Sequence, residues 1–275
     1  MSILHAIILG IIEGITEFLP ISSTGHLTIA EKLLGYKIDD TGITAFTAII
    51  QVGATVATLI YFRKDISRVG RGWFEGIFQA KRDTPEYRLG WGIIVGSIPI
   101  AIIGLAFKHQ IETGLRSLWY VAIALIVWGI VMHFAEKTAT QRRHEKSTTW
   151  RDALFIGIAQ CLALIPGVSR SGATISAGLF KGFDRVTATR LSFFLAIPAL
   201  LAAGALEAVT RASDISATVG WTPVVVGTAV TFVVAYFAVA WLLKFIATHS
   251  YKSFITYRIA LGVVLVVLLS TGVIS

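Results

Sequence analysis

Two acidic residues interrupt the first apolar segment of the chain. Glu13 and Glu17 are four residues apart, so on a helix they share one face. Two carboxylates in apolar surroundings repel each other and are costly to bury unless a positive charge lies between them. A divalent cation, Mg²⁺ or Ca²⁺, or the side chain of Arg170 could provide that charge. The pattern predicts a catalytic or metal-binding role for both acids; the alternative is an acid pair facing the polar cavity of a transporter.

A turn rich in small and hydroxyl-bearing side chains follows Pro20. It comprises Ser22, Ser23, Thr24, Gly25 and His26. Hydroxyls and free N–H groups at a helix N-terminus form a phosphate-binding site, and Gly25 permits close approach of a ligand to the backbone. For Ser22 and Thr24, helix capping explains the residue type as well as chemistry does. We expect His26, close to two acids and a serine, to act as acid, base or nucleophile.

A second polar turn lies far along the chain, after Pro166 and Gly167. It comprises Ser169, Arg170, Ser171 and Gly172. An arginine alone in an apolar segment is costly without a counter-ion or an anionic ligand. The planar guanidinium matches the oxygens of a phosphate, so we predict that this turn binds one. A salt bridge to Glu13 or Glu17 is the alternative, and such a bridge could yield to the substrate.

Together these side chains predict a phosphoryl-transfer site. Arginine and a metal ion would neutralise the charge of the phosphoryl group while a hydroxyl or water attacks in line. The residues leave the nucleophile open between Ser23, His26 and water. The sequence contains no P-loop, GxSxG or HExxH pattern. A site buried between lipid-facing helices implies a substrate with a lipid tail.

The composition shows what kind of protein must position this site. Of the 275 residues, 55% are hydrophobic and only 15% are charged, whereas a soluble domain carries about 25% charged residues. The chain is therefore predicted to be a polytopic membrane protein with one membrane-embedded domain spanning residues 1–275. Its net charge of +8 is explained by basic cytoplasmic loops, so no nucleic-acid partner is expected.

Apolar stretches predict the number of membrane crossings. A spanning helix needs about 20 mostly apolar residues, and six stretches qualify: 44–62, 89–107, 117–135, 187–210, 221–246 and 254–274. Residues 3–35 and 152–182 are instead two short apolar pieces around a polar break. We interpret both as re-entrant helical hairpins, because non-helical backbone at membrane depth survives only inside protein or beside water. The predicted fold class is all-α, with six transmembrane helices plus two hairpins.

The distribution of basic residues predicts the orientation. Of the 24 lysines and arginines, 18 fall in loops or helix ends on one side of the predicted spans, including Arg190 and Arg258. The positive-inside rule makes that side cytoplasmic. Both termini of this multi-pass protein would then face outward. Among the cytoplasmic residues, Phe74 and Phe78 alternate with basic residues, which is typical of an amphipathic helix on the inner leaflet.

The two broken regions resemble each other at an offset of 147 residues. Ser22 aligns with Ser169 and Gly25 with Gly172, and the similarity extends over residues of about 1–62 and 152–210. Because the halves enter from opposite faces, we predict an inverted-topology repeat, which places broken helices near the membrane midplane. The aligned polar residues nevertheless differ, since Ser23 aligns with Arg170. One asymmetric site is therefore expected, which a simple carrier would not require.

At these residues the sequence resembles a known family. The segments EGITEFLPISSTGH (residues 13–26) and PGVSRSGAT (residues 166–174) resemble the two signatures of bacterial undecaprenyl-diphosphate phosphatases of the bacitracin-resistance type. The resemblance implies hydrolysis of undecaprenyl diphosphate to undecaprenyl phosphate and phosphate, which recycles the carrier lipid for peptidoglycan synthesis. It also implies dependence on a divalent cation and a multi-pass enzyme of the bacterial inner membrane with a site open to the periplasm. Together with the charge distribution, this predicts that both termini are periplasmic. By the same resemblance the functional residues are Glu13, Glu17, Ser23, His26 and Arg170, with Ser22, Thr24, Ser169 and Ser171 in support.

Two other classes of protein fit part of the pattern. A transporter or lipid flippase would share the inverted repeat, but it would not need the asymmetric site. A membrane-embedded acyl or prenyl transferase is disfavoured by the lack of an Asp-rich diphosphate motif. The expected partners are a polyprenyl diphosphate substrate and membrane lipids. The oligomeric state stays open, with a homodimer as one arrangement considered.

Overall fold

The computed structural model describes residues 1–37, 40–107 and 117–274, which form helices and turns without any β-strand. The helices of eleven or more residues in this part of the chain are α1 (Ile3–Thr16), α2 (Ser23–Leu33), α3 (Thr41–Tyr61), α4 (Arg63–Phe78), α5 (Pro85–Ala106), α6 (Leu118–Thr138), α7 (Trp150–Gln160), α8 (Arg170–Phe180), α9 (Arg185–Thr210), α10 (Trp221–Ile246) and α11 (Lys252–Ser270). Two of the residues used for the orientation, Lys108 and Arg116, lie outside the described residues.

Six of these helices are long and apolar enough to cross a membrane: α3, α5, α6, α9, α10 and α11. They overlap the six predicted stretches, and their ends differ from the predicted ones by up to four residues. At the start of α3, α5, α6 and α9 a capping side chain rather than hydropathy sets the first residue of the helix. Thr84, for example, accepts a hydrogen bond from the Tyr87 N–H and starts α5 before the apolar run. The prediction of an all-α polytopic membrane protein is confirmed.

Each predicted hairpin consists of two short helices around a break. Helices α2 and α8 begin and end 147 residues apart, so the offset in the sequence is also present in the secondary structure. Both are preceded by a serine with a φ of 75°, Ser22 and Ser169. Their hydroxyls accept the backbone N–H of Gly25 and Gly172 at 3.2 and 3.1 Å. The re-entrant course, the inverted topology and the single domain stay predictions.

Glycines let the first helix of each break pack directly on a spanning helix. A Cβ atom at Gly10 in α1 would lie 2.7 Å from the Gly227 carbonyl oxygen in α10. A Cβ atom at Gly157 in α7 would overlap the Gly96 carbonyl oxygen in α5. Both obstacles are backbone atoms of another helix, so they cannot move aside as a side chain can. These contacts fix where α1 lies along α10 and where α7 lies along α5.

We therefore expect Gly157→Ala to lower stability, since the added methyl forces α5 and α7 apart. Overpacking of this kind costs about 1–3 kcal/mol. The matched control is Gly104→Ala in α5, where nothing lies within 4 Å and alanine favours the helix. Melting temperatures of the purified proteins in detergent compare the two. Equal melting temperatures for both variants would contradict the packing described here.

Charged side chains fasten α4 to other elements at the predicted cytoplasmic end. Arg68 donates to Glu86 and Glu145 at 2.7 Å each, and Arg190 donates to Asp65 and Glu145 at 2.7 Å each. The phenyl rings at the end of α4, Phe74 and Phe78, are exposed. The predicted amphipathic helix is therefore present, and its position on the inner leaflet stays a prediction.

A second ion pair at the same end holds α7. Arg143 donates to both carboxylate oxygens of Asp152, at 2.9 and 2.6 Å, while Asp152 also forms a capping box with Thr149. Burial alone would raise the pKa of Asp152, but the hydrogen bonds from Arg143 and Thr149 outweigh it and lower the pKa to about 2. Asp152 therefore stays ionised, and it anchors the start of α7 at neutral pH.

Candidate active site at the two helix breaks

The two breaks, far apart in sequence, lie against each other. Ser171 Oγ at the start of α8 donates to the Leu19 carbonyl oxygen at 2.9 Å. Arg170 donates to the Glu17 side chain, with Nη2 and Nε 3.3 and 3.4 Å from Oε1. The expectation that the two turns form one cluster is confirmed by these contacts.

Glu17 is the centre of this cluster. Its Oε1 atom accepts Arg170 from the second break, and its Oε2 atom accepts the Ser23 hydroxyl from the first at 2.7 Å. The chain places Glu17 directly after the last residue of α1, where the backbone turns towards Ser23. A carboxylate in this position can accept the proton of a hydroxyl that attacks phosphorus.

Arg170 is contacted by Glu17 and by α9, but its hydrogen bonds to Glu17 are long enough to be exchanged for a ligand. Its Nη1 atom donates to the Ser192 carbonyl oxygen of α9 at 3.0 Å, and its Cζ atom lies 5.4 Å from the centre of the Phe18 ring. The side chain is 9% exposed. The distances to Glu17 exceed the 2.7–2.9 Å that is typical of a tight guanidinium–carboxylate pair. The predicted salt bridge is present in a loose form, which a phosphate could replace.

Glu13 lies one helical turn before Glu17 and is fully buried. No amide, guanidinium or hydroxyl donor of the described residues bonds to its carboxylate oxygens, whose charged neighbours include the adjoining carboxyl group of Glu17 and the guanidinium of Arg170. A buried carboxylate without a partner is costly, so a ligand that fills this gap would bind favourably. A hard divalent cation fits both the carboxylate oxygens and the deficit of positive charge.

The metal would not be enclosed by protein alone. The described residues contain no group of three His, Cys, Asp or Glu side chains arranged to hold a metal ion. Mg²⁺ is commonly bound by one or two carboxylates, with water and substrate phosphate completing the shell. Glu13 and Glu17 are the two residues in this site that fit such a role.

Most hydroxyls in the two turns are engaged in holding the backbone. Ser22 and Ser169 cap α2 and α8, and Ser169 Oγ also lies 3.0 Å from Ser171 Oγ. Thr24 is exposed, and its carbonyl oxygen accepts the Thr28 hydroxyl. Ser23 is thus the hydroxyl of the first turn that points at a carboxylate rather than at the backbone.

His26 is held away from the carboxylate cluster by two hydrogen bonds. Its Nδ1 atom donates to the Ser22 carbonyl oxygen at 2.7 Å, which leaves Nε2 of the neutral ring to accept the Tyr257 hydroxyl at 2.7 Å. The two rings are nearly parallel, with centres 5.6 Å apart. His26 therefore shares the turn with Ser23, but its direct partners are Ser22 and Tyr257.

Two residues of α11, Tyr257 and Arg258, contact the site. Neither of them was among the site residues predicted from the sequence. Tyr257 holds His26, and Arg258 donates to carbonyl oxygens in both breaks. Arg258, which the charge count placed with the cytoplasmic basic residues, has a fully buried side chain among α6 and the two breaks. The sequence did contain a signal for Arg258, because it is a lone arginine inside the predicted span 254–274. The same kind of signal pointed to Arg170.

The fold and this cluster define an all-α membrane protein in which two helix breaks bring a carboxylate, a hydroxyl and a guanidinium together. Comparison with known proteins identifies the family of the chain. It belongs to the family of the bacitracin resistance protein BacA, whose family model matches residues 6–264.

Curated relatives match over their full length. The chain is 60% identical to undecaprenyl-diphosphatase 3 of Frankia casuarinae, covering 100% of this chain and 99% of that protein. It is 55% identical to the undecaprenyl-diphosphatase of Cutibacterium acnes, covering 100% of both. It is 48% identical to the undecaprenyl-diphosphatase of Mycolicibacterium smegmatis, covering 100% of this chain and 99% of that protein.

Proposed function

We propose that this chain is an integral membrane phosphatase that hydrolyses undecaprenyl diphosphate to undecaprenyl phosphate and inorganic phosphate. Full-length relatives at 48–60% identity carry the name of this activity. The observation that carries the proposal is the Ser23–Glu17–Arg170 contact, which joins a hydroxyl, a proton acceptor and a phosphate-binding cation. The reaction recycles the carrier lipid for peptidoglycan synthesis and confers resistance to bacitracin, in agreement with the name of the family.

Arg170, Glu17 and Ser23 have different roles in the proposed reaction. The Arg170 guanidinium binds the terminal phosphoryl group and offsets the negative charge that shifts within it. Glu17 accepts the proton of the attacking hydroxyl, which belongs to Ser23 or to a water molecule that Ser23 orients. The P–O bond to the bridging oxygen breaks, and undecaprenyl phosphate leaves with the electron pair of that bond. Attack by water gives phosphate directly, whereas attack by Ser23 gives a phosphoserine that water then hydrolyses.

Glu13 and Glu17 are the residues that would hold a divalent cation. When bound, the cation supplies further neutralisation of the phosphate oxygens. The partnerless oxygens of Glu13 support this part of the proposal.

The N-termini of α2 and α8 add donors to the same region. The backbone at Thr24, Gly25, Ser171 and Gly172 belongs to the first turns of these helices, whose positive ends favour an anion. We propose that Ser22 and Ser169 contribute by keeping this backbone in place, since both hydroxyls are already used as caps.

The site is proposed to open to the periplasm of an inner-membrane protein with both termini on that side. The bias of basic residues towards the opposite loops supports this orientation.

The test is phosphate release by the purified protein in detergent. Undecaprenyl diphosphate should give one phosphate per molecule, and undecaprenyl phosphate should give none under the same conditions. Absence of release from the diphosphate, in folded protein supplied with Mg²⁺ or Ca²⁺, would overturn the proposal.

A lipid flippase is the second candidate, and the equal lengths and equal caps of α2 and α8 favour it, because repeated broken helices are typical of transporters. The contacts of Glu17 argue for chemistry at the same place. Transfer of labelled lipid across proteoliposomes without any phosphate release would support the flippase instead.

Tyr257→Phe tests the contribution of His26. Phenylalanine keeps the stacked ring but removes the hydroxyl that donates to Nε2. A hydrogen bond of this kind contributes about 1 kcal/mol net, so we expect kcat to fall about fivefold and the melting temperature to stay near that of the wild type. Tyr236→Phe, a tyrosine in α10 that packs on Tyr61, is the control. Wild-type kcat in Tyr257→Phe would show that this contact does not serve the reaction.

A further inference from the structure

The guanidinium of Arg258 lies between the two helix breaks and is fully buried. Its Nη1 atom donates to the Pro20 carbonyl oxygen of the first break at 3.1 Å. Its Nη2 atom donates to Gly167 and Val168 of the second break at 2.8 and 2.9 Å. One side chain of α11 therefore joins both segments that carry the proposed catalytic residues.

The remaining donors of Arg258 attach it to α6. Nε donates to the Leu125 carbonyl oxygen at 3.1 Å, and Nη1 donates to Met132 Sδ at 3.2 Å. A guanidinium has five N–H groups, so every one of them is used. All five acceptors are uncharged. Burial without a carboxylate is costly for a cation, which indicates that four converging carbonyl dipoles compensate the charge.

Only arginine meets this set of acceptors. Three carbonyl oxygens of the two breaks point towards one another, and their dipoles would repel without a cation between them. A lysine offers three donors from a single point and cannot reach all five acceptors in a plane. Gly172 makes room for the group, because a Cβ atom there would lie 2.9 Å from Arg258 Nη1.

The contacted carbonyls adjoin the strained backbone of the site. Pro20 lies two residues before Ser22, and Val168 lies directly before Ser169. Both serines have a φ of 75°, a conformation that is unfavourable for a residue with a side chain and persists only when its surroundings hold it. Arg258 is one of the groups that hold it at both places.

We infer that Arg258 is a positioning residue of the reaction: it sets the spacing of the two breaks so that Glu17 and Ser23 meet Arg170. This inference rests on the proposed phosphatase function. Arg258 forms no hydrogen bond or ion pair with Glu17, Ser23 or Arg170 in the structure, so it acts through the backbone. Its charge also reaches His26 electrostatically.

The experiment compares Arg258→Met, Arg258→Lys and the control Met132→Leu. Methionine fills a similar volume without donors, whereas Met132→Leu removes only the sulfur acceptor and leaves the four carbonyl bonds. Displacement of reacting groups by about 1 Å can lower a rate about 100-fold, so we expect that loss of kcat in Arg258→Met. Arg258→Lys should recover part of it, KM should change little, and Met132→Leu should match the wild type.

A second readout does not depend on activity. Spin labels at Thr24 and Leu162, both exposed and each near one break, report the spacing of the breaks in a protein whose native Cys161 is replaced by alanine. We expect a longer or broader distance distribution in Arg258→Met, a smaller change in Arg258→Lys, and none in Met132→Leu. Should Arg258→Met fail to fold, the lysine variant decides by the same two measurements.

The outcomes separate this inference from the proposed function. Folded Arg258 variants with wild-type kcat and unchanged label distances, and only a lower melting temperature, would overturn the inference and leave the phosphatase function standing. A wild-type protein without phosphate release would overturn the phosphatase function. The label distances would then still show whether Arg258 holds the breaks together.

Discussion

Arg170→Ala should release almost no phosphate from undecaprenyl diphosphate, although the protein folds. The guanidinium is the cation that directly contacts Glu17, and arginines that bind a transferred phosphoryl group contribute about 10³-fold or more to turnover. Arg170→Lys keeps the charge but loses the planar pair of donors, so it should retain partial activity. The measurement is turnover per folded molecule, taken together with the melting temperature.

Turnover per folded molecule, rather than stability, separates this role from that of a simple counter-ion. Without Arg170, Glu17 keeps the Ser23 contact and can take up a proton, so a lower melting temperature is expected but not loss of the fold. The control is Arg88→Ala, which breaks the exposed ion pair with Asp83 just before α5 and should leave turnover per folded molecule unchanged. Normal turnover in folded Arg170→Ala would show that Arg170 only compensates the charge of Glu17.

Glu17→Gln should lower turnover about 10²–10⁴-fold, the range that general acid–base catalysis supplies. The amide keeps the shape and can still contact Ser23, but it cannot take up the proton of the attacking hydroxyl. Glu13→Gln should also lower turnover strongly, and the activity that remains should respond less to added Mg²⁺ or Ca²⁺. Titration of turnover against metal concentration measures both effects.

The repeat supplies a reason to expect that Glu13→Gln folds. Gln160, which aligns with Glu13, is a fully buried amide at the corresponding place in α7. Glu75→Gln in the peripheral helix α4 is the control, since it removes a carboxylate paired with Lys81 away from the breaks. Full activity and an unchanged metal response in both site variants would rule out the assignment of the acids.

The sequence alone predicts the spans and the breaks because both depend on local properties. Twenty consecutive apolar residues can be recognised without knowing what they contact, and a proline followed by hydroxyl residues marks a break wherever it packs. The offset of 147 residues between the two turns then predicts where both breaks begin, and α2 and α8 begin there.

What the sequence could not predict is how the polar groups pair. From the sequence, Glu13 and Glu17 look equivalent on one helix face. In the structure only Glu17 contacts both Ser23 and Arg170, because α1 ends at Thr16 and the side chain of Glu17 therefore faces the turn. The acceptors of Arg170 and Arg258 are largely backbone carbonyls, such as those of Ser192 and Pro20. Every residue carries such a carbonyl, so only the tertiary structure shows which ones are used.

The most direct test of the central claim is an experimental structure with an undecaprenyl diphosphate analogue whose bridging oxygen is replaced by a methylene group. We expect its terminal phosphonate oxygens within hydrogen-bonding distance of Arg170 and near Ser23, with the Arg170–Glu17 contact opened and any metal beside Glu13 and Glu17. A diphosphonate bound elsewhere, such as among the basic residues around Arg68 and Lys146, with Arg170 still paired to Glu17, would contradict the single site formed by the two breaks.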